Sequence, residues 1–406
     1  MNLKKHTFKA YYLFYGALFF IVTSCGTSTT TDPTPAPDKY LVSSTLIGDY
    51  PVATLRTRAD GVTGGGNALI TTFINSLLKY DIKAYKIIYK TTNTDGTEIQ
   101  ASGALIIPTT TDAVAMISQQ HGTIRTDAQA PSNYGTNSEA YSIASIFGSN
   151  GYIIACPDYI GYGVSKNIEH PYEHRESLAQ ASLDMIRASV EFINKEKRNW
   201  NKKLMITGYS QGGFATMSLQ KKIEENFPTE FNLVASSCGA GAYNKTQFMK
   251  DLINTTTHGI PEYNQLYIWV TQTYNRVYKL NRPMNTYFKE PFATDIQANG
   301  NNANVKVSIN LAFGDTFRMA VNNGMDTQFL NAVKDNDVFD WGPKTETQLY
   351  HGDADLQVFY NNSATAEKAM KAKGGNVTLL TTKGGTHGST LQDYALGTFQ
   401  FFNGKK

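Results

Sequence analysis

The chain has 406 residues, a formal net charge of +3 and 41% hydrophobic residues, enough for one large domain with an insertion. So small a net charge, with no long basic run beyond the first residues, argues against nucleic acid or an acidic surface as a partner. The sequence has no C-x-x-C and no H-E-x-x-H pattern, and it therefore gives no support for a metal site or a metal cofactor.

The N-terminal residues have the pattern of an export signal. Three lysines among the first nine residues form a positive region, and the apolar stretch 10–23 that follows is short for a bilayer span. Val22-Thr23-Ser24-Cys25 resembles a bacterial lipobox, in which cleavage makes the Cys a lipid-bearing N-terminus. We expect a lipoprotein signal peptide at 1–24 and lipid on Cys25, with an ordinary secretory signal as the alternative.

A flexible tether is expected after the signal. Residues 25–38 are rich in Thr, Ser and Pro and carry almost no charge. The two remaining cysteines, Cys156 and Cys238, each lie in a strand-like run. We expect buried free thiols, with a disulfide between them as the alternative.

The folded part begins with a hairpin and continues with alternating strands and helices. A short helix near 68–78 precedes two strands, 82–90 and 98–107, which are joined at Asn93-Thr94-Asp95-Gly96. Further strands are predicted at 113–117, 152–156, 203–207 and 233–238, and helices at 139–147, 177–194 and 211–225. This succession indicates an α/β fold with a mostly parallel sheet that is flanked by helices on both faces.

Residues 243–341 interrupt the alternation. They hold many aromatic residues and amphipathic helical segments, without clear strands. The sheet then resumes with strands at 347–351 and 377–381 and helices at 363–373 and 390–402. We predict a largely helical cap or lid at 243–341, inserted before the last two strands and dividing the core into 39–242 and 342–406. The alternative is a structural excursion that does not contact the site.

A candidate nucleophile lies in Gly208-Tyr209-Ser210-Gln211-Gly212. A short apolar strand precedes this G-x-S-x-G pattern, and a helix with small residues in its first turn follows it. Strand, sharp turn and helix around this pattern form the context of a nucleophile elbow, which exposes the Ser hydroxyl at the N-terminus of the helix. The pattern therefore predicts Ser210 as a catalytic nucleophile.

A Ser nucleophile needs a base and an acid that orients the base. His387 lies in a glycine-rich loop between the last strand and the last helix, whereas His170, His174 and His258 lack such a loop and His351, at a strand end, is expected to be structural. The acid should follow the preceding strand, where Asp355 is favoured over Asp353, which is typical of a turn. The order Ser, acid, His fits this sheet topology.

The oxyanion of an acyl-transfer intermediate needs hydrogen-bond donors. One should be the backbone N–H of Gln211, immediately after the nucleophile. The second should come from the loop Gln119-Gln120-His121-Gly122-Thr123 after the third core strand. We favour Thr123, with Gly122 as the second choice.

Together these motifs resemble the α/β-hydrolase fold and, within it, secretory lipases and esterases. The resemblance rests on the elbow, on the loop at Gly122 and Thr123, on Pro157-Asp158-Tyr159-Ile160-Gly161-Tyr162-Gly163, on His170-Pro171-Tyr172 and on His351-Gly352-Asp353-Ala354-Asp355. It covers the chain from about residue 120 almost to its end. Val358 is followed by Phe359-Tyr360, where loops of this kind often have a Pro, and the insertion matches no residue pattern.

The resemblance implies a serine hydrolase of carboxylic esters, with no cofactor and with Asp158 and Tyr159 in positional roles. Its substrate would be a small-molecule ester or an ester linked to a lipid or polysaccharide. The lipobox implies attachment to the bacterial cell envelope, at the outer membrane. A serine peptidase of the same fold and a non-catalytic binding lipoprotein are the alternatives.

Overall fold

The computed structural model describes residues 38–62 and 68–406, and the chain from Asp38 to Lys406 forms one compact unit. The expected signal peptide, Cys25 and all but the last residue of the expected tether lie outside the described residues. Within the two described ranges, no helix combines the length and the apolar character that crossing a membrane requires.

One sheet of nine strands organises the described residues, in the order β1-β2-β3-β5-β4-β6-β7-β8-β9. The pairs β1-β2, β2-β3 and β3-β5 are antiparallel, and from β5 through β4 to β9 all neighbouring pairs are parallel. This confirms the predicted mostly parallel sheet. The strands are β1 Leu41–Tyr50, β2 Ile82–Thr92, β3 Glu98–Pro108, β4 Val114–Gln120, β5 Ile153–Pro157, β6 Trp200–Tyr209, β7 Asn232–Gly239, β8 Thr347–Gly352 and β9 Val377–Thr382.

Helices cover both faces of the sheet. Apolar side chains of α4 and α5 join those of β2, β3, β4 and β5 in one buried cluster, while α12 contributes Phe401 and Phe402 to a second cluster. The helices outside the insertion are α1 Val52–Val62, α2 Ala68–Leu77, α3 Ser145–Ser149, α4 Arg175–Lys195, α5 Gln211–Asn226, α11 Asn361–Ala372 and α12 Thr390–Asn403.

Five helices lie between β7 and β8, at the position predicted for the helical insertion. They are α6 Lys245–Asn254, α7 Pro261–Val277, α8 Phe292–Asn299, α9 Asp315–Asn322 and α10 Thr327–Asp335. Aromatic residues of the insertion form a buried cluster, in which Phe288 stacks on Phe313 at 4.9 Å. The same cluster includes Tyr172 and Val358, two residues of the sheet-bearing core. The insertion is therefore packed against the core.

Two elements of the fold differ from the sequence-based prediction, one strand that it lacks and one helix of another type. Strand β1 pairs with β2 at the sheet edge, and its residues are mostly exposed, so the alternating pattern that reveals a half-buried strand is weak. The predicted helix at 139–147 is a π-helix over Ala140–Ala144 that continues into α3. Propensity does not distinguish this wider turn from an α-helix.

The two cysteines within the fold are free and buried. The Sγ atom of Cys156 lies 4.0 Å from Gln119 Oε1, and the Sγ atom of Cys238 lies 3.5 Å from Ser236 Oγ. The prediction of buried free thiols is confirmed, and the alternative disulfide is not formed.

Candidate active site

Ser210 lies on the sharp turn that joins β6 to α5. Its φ of 60° and ψ of −120° lie in a region that residues other than Gly seldom occupy. The backbone N–H of Ser210 donates to the carbonyl oxygen of Gly239 at 2.8 Å, and its own carbonyl oxygen accepts the N–H of Phe214 at 3.1 Å. Strand β7 and the first turn of α5 thus hold the strained residue from both sides.

The two glycines of the motif allow this turn to pack against β4. A Cβ atom on Gly208 would lie 2.4 Å from the carbonyl oxygen of Gly212, and one on Gly212 would lie 2.2 Å from that of Gln120. Both distances are far below van der Waals contact. Only residues without a side chain fit here, which explains the G-x-S-x-G spacing physically.

The structure brings Ser210, His387 and Asp355 together in one chain of hydrogen bonds. His387 Nε2 lies 2.9 Å from Ser210 Oγ, and His387 Nδ1 lies 2.6 Å from Asp355 Oδ2. Because a carboxylate can only accept, Nδ1 carries the proton and Nε2 accepts from the Ser210 hydroxyl. Asp353 is exposed and accepts the N–H of Gly384 instead, so the structure places Asp355 rather than Asp353 against His387.

Asp355 is held by more groups than the sequence suggests. Its Oδ1 accepts the backbone N–H groups of Gln357 and Val358 at 2.8 and 3.0 Å. The Nε2 of His351 lies 3.2 Å from Asp355 Oδ2 and 2.7 Å from the carbonyl oxygen of Val358, and its Nδ1 lies 2.7 Å from the hydroxyl of Ser363. His351 is therefore a positioning residue for the acid, a role that its place at a strand end does not reveal.

These contacts keep Asp355 ionised. Burial alone would raise the pKa of this carboxyl group, whose side chain is 0% exposed, but the hydrogen bonds from His351 and His387 more than offset that effect. The pKa of Asp355 consequently lies well below the ordinary value for Asp. A permanent negative charge thus lies next to His387 at neutral pH.

The two predicted oxyanion donors have no hydrogen-bond partner within the described ranges 38–62 and 68–406. Neither the backbone N–H of Gln211 nor that of Thr123 donates to another described residue, as expected of groups available to a ligand. The N–H of Gly122, the second choice, donates to Glu139 Oε1 at 2.9 Å, while Glu139 Oε2 accepts from the side chain of Gln119 at 2.9 Å. Glu139 therefore fixes the loop that carries Thr123.

His170 and Tyr172 support both donor segments. His170 Nε2 lies 2.7 Å from the side-chain nitrogen of Gln211, and its Nδ1 lies 2.6 Å from the carbonyl oxygen of Ile160. Burial lowers the pKa of His170 to about 3, so its ring is uncharged and can accept from Gln211. The hydroxyl of Tyr172 lies 2.9 Å from that of Thr123. In the sequence both residues belong to the His170-Pro171-Tyr172 motif, which supports the family resemblance but does not predict a function for either side chain.

Asp158 has a structural place at the end of β5. It is fully buried, its Oδ2 accepts from the hydroxyl of Ser102 at 2.6 Å and its Oδ1 accepts the N–H of Ser132 at 2.7 Å. Burial raises its pKa above the ordinary value. Asp158 thus ties strand β3 to the turn at Ser132, in keeping with the positional role implied by the resemblance.

Two cavities meet at Ser210. The first, here called the insertion cavity, is a narrow cleft between insertion and core with a volume of about 500 Å³, including its opening to solvent. The second, here called the core cavity, has a volume of about 750 Å³ on the same basis. The core cavity enters the molecule beside α12 and is lined by Ile117, Glu139, Ile143, Phe147, Leu391 and Tyr394, among others. A substrate at Ser210 can therefore extend in two directions.

Solved structures share this fold. A protein of Legionella pneumophila assigned as a hydrolase has a TM-score of 0.78 at 22% identity, covering 90% of this chain and 98% of its own. The rice cell wall degrading esterase LipA from Xanthomonas oryzae has a TM-score of 0.70 at 22% identity, covering 91% and 100%. Candida antarctica lipase A in its closed state has a TM-score of 0.61 at 16% identity, covering 89% and 83%. The fold is that of the α/β-hydrolases.

The family follows from the sequence itself. The model of the secretory lipase family matches residues 124–391, which is more than half of the chain, and the protein belongs to that family. It is thus a carboxylic ester hydrolase. No curated protein is similar to it at a significant level.

We predict that Asp355→Asn destabilises the protein at neutral pH, and by a smaller amount as the pH falls below about 4. A carboxyl group whose pKa is lowered by folding stabilises the fold above its unfolded pKa of about 3.9 and loses that contribution as the pH falls through its folded pKa. Thermal unfolding between pH 7 and pH 3 should therefore show a Tm deficit of several degrees for the variant, shrinking below about pH 4. A deficit that is constant, or that grows toward acid pH, would contradict the charged state derived for Asp355.

Proposed function

We propose that the protein cleaves carboxylic esters through an acyl-enzyme on Ser210. The observation that carries this proposal is the hydrogen-bonded chain from Ser210 through His387 to the buried carboxylate of Asp355. Membership in the secretory lipase family supports ester chemistry over the peptidase and binding-protein alternatives.

In the first half of the reaction, Ser210 Oγ attacks the ester carbonyl carbon while His387 Nε2 takes the hydroxyl proton. Negative charge develops on the carbonyl oxygen, and the free N–H groups of Gln211 and Thr123 stabilise it. The resulting imidazolium of His387 is stabilised by Asp355. The tetrahedral intermediate collapses as His387 returns its proton to the leaving alcohol, and the acyl group remains on Ser210.

In the second half, water replaces the alcohol. His387 Nε2 takes a proton from the water as its oxygen attacks the acyl carbon, and the same two N–H groups hold the oxyanion again. Collapse breaks the bond to Ser210 Oγ, which recovers its proton from His387. The carboxylic acid leaves, and the enzyme is restored.

We further propose that residues 243–341 act as a cap that shapes the substrate site, between core segments 39–242 and 342–406. The insertion cavity supports this proposal, because α6 and α7 supply much of its wall next to Ser210. The acyl group and the alcohol group of the ester would occupy the two cavities, one in each. Both cavities are predominantly apolar, which favours apolar substituents over free sugars or charged peptides.

The proposed location is the bacterial cell envelope. Cleavage after residue 24 would leave Cys25 as a lipid-bearing N-terminus, with 25–38 as a tether to the catalytic unit. A family of secretory lipases is consistent with export. Several acyl chains on one residue would give stable attachment, whereas one chain would give only marginal binding.

The triad is tested by hydrolysis of a p-nitrophenyl ester series, from acetate to palmitate, with the soluble form that starts after residue 38. Ser210→Ala should lower kcat by roughly 10⁴–10⁶-fold, and Asp355→Asn by roughly 10³–10⁴-fold, because the imidazole loses its orienting charge. The measurement is the initial rate of p-nitrophenolate release.

Asp353→Asn is the matched control for the acid. It removes a carboxylate from the same loop, but one that contacts Gly384 rather than His387, so kcat should stay within about threefold of wild type. Full activity in Ser210→Ala, or equal losses in the two Asp variants, would refute the assignment. Turnover of aminoacyl p-nitroanilides in place of all esters would favour the peptidase alternative.

The anchor is tested by metabolic labelling with radioactive palmitate in a bacterial host. Wild type should carry label and sediment with membranes, and Cys25→Ser should lose the label and the sedimentation. Cys238→Ser is the control and should keep the label, because Cys238 is buried within the fold. An unlabelled wild type released as soluble protein would show an ordinary secretory signal instead.

A further inference from the structure

The insertion cavity contains one buried ion pair. Lys245, the first residue of α6, contacts Glu173, which precedes α4, through Nζ and Oε2. Their side chains are only 4% and 8% exposed. The neighbouring lining is apolar, with Phe248 and Val270 among it, and Ser210 lines the same cavity. Two charges thus lie in a predominantly apolar cleft beside the proposed nucleophile.

Neither charged group uses its full hydrogen-bonding capacity. An ammonium group has three N–H donors, but among the described residues Glu173 is the only hydrogen-bond partner of Lys245 Nζ, which otherwise lies 4.3 Å from the ring centre of Phe214. No described residue donates to Glu173 Oε1. A buried ion pair is costly to desolvate, and further hydrogen bonds to its two groups offset that cost. A donor and an acceptor therefore remain unused at the cavity wall.

We propose that Lys245 and Glu173 recognise a hydroxyl group on the part of the ester that occupies the insertion cavity, an inference that rests on the proposed esterase function. A hydroxyl can accept from Lys245 while donating to Glu173 Oε1. A carboxylate would be repelled by Glu173, and an ammonium group by Lys245. Of these three groups, only the hydroxyl satisfies both partners without adding a charge.

The shape of the cleft narrows the substrate class further. Tyr172, Phe248 and Tyr267 line it, and Phe248 meets Tyr267 edge to face at 5.7 Å. Aromatic walls in a narrow space favour a flat ring. The substrate class is therefore carboxylic esters with a hydroxylated aromatic ring on one side of the ester bond.

A purely structural role for the pair makes a different prediction. Lys245 belongs to the insertion and Glu173 to the core, so the pair also ties one to the other. If the ion pair served only to hold the insertion on the core, its loss would lower Tm. It would not change the relative kcat/KM of two esters that differ by one hydroxyl, and that relative kcat/KM is the quantity to measure.

Two matched substrate pairs test the proposal from both sides of the ester bond. The first is the p-nitrophenyl ester of phenylpropanoic acid and its para-hydroxy derivative, and the second is phenylethyl butanoate and its para-hydroxy derivative. For one of the pairs, wild type should show kcat/KM roughly ten- to a hundredfold higher for the hydroxylated ester, as expected for hydrogen bonds to charged groups.

The double variant Lys245→Met/Glu173→Met removes both charges, so that no unpaired charge is left buried. In this variant the ratio of kcat/KM for the hydroxylated ester to kcat/KM for the hydroxyl-free ester should fall to about one. The fall should come from a lower kcat/KM for the hydroxylated ester, while the hydroxyl-free esters are still hydrolysed. Arg282→Met is the control. It breaks an ion pair with Asp326 in the same insertion, outside the cavity lining, and should leave the ratio unchanged.

Two results would overturn the proposal. One is a wild-type ratio near one for both substrate pairs. The other is an unchanged ratio in the double variant, with a folded state verified by circular dichroism. A wild type that hydrolyses neither these four esters nor the acetate-to-palmitate series overturns the proposed function itself, and this inference with it.

Discussion

The strained backbone of Ser210 is the feature on which the rest of the site depends. A residue with a side chain at φ 60° costs about 1–3 kcal/mol and persists only where its surroundings enforce it. Here the enforcement is backbone packing, since Gly208 and Gly212 allow β6, α5 and the end of β4 to touch. The same contact brings the loop after β4, with Thr123, next to the N-terminus of α5. The proposed nucleophile and both proposed oxyanion donors are thus fixed by one constraint.

Polar networks then hold the remaining groups against this centre. His351 and two backbone N–H groups fix Asp355 next to His387, and the hydrogen bonds from His351 and His387 keep the carboxylate charged although burial alone would favour its neutral form. On the other side, His170 and Tyr172 hold Gln211 and Thr123. Because Tyr172 also stacks on Trp269 of the insertion at 4.4 Å, the oxyanion loop and the insertion share a packing partner.

Much of this architecture could be predicted from the sequence, because the signals are local. Ser210, Asp355 and His387 each follow a strand of clear apolar pattern, and parallel strands bring the ends of those strands to one edge. The positioning roles of His351 and Glu139 could not be predicted, since they depend on contacts across the fold. The same holds for the pairing of Lys245 with Glu173, 72 residues apart. Edge strand β1 was missed because both of its faces are largely exposed.

The central claim is that Ser210 is an activated nucleophile, and covalent labelling with a fluorophosphonate tests it most directly. Intact mass spectrometry of the treated protein should show one adduct, and peptide mapping should place it on Ser210, because only a hydroxyl with a positioned base reacts quickly. Prior denaturation should abolish the reaction. No adduct on the folded protein, or an adduct on another residue, would contradict the account.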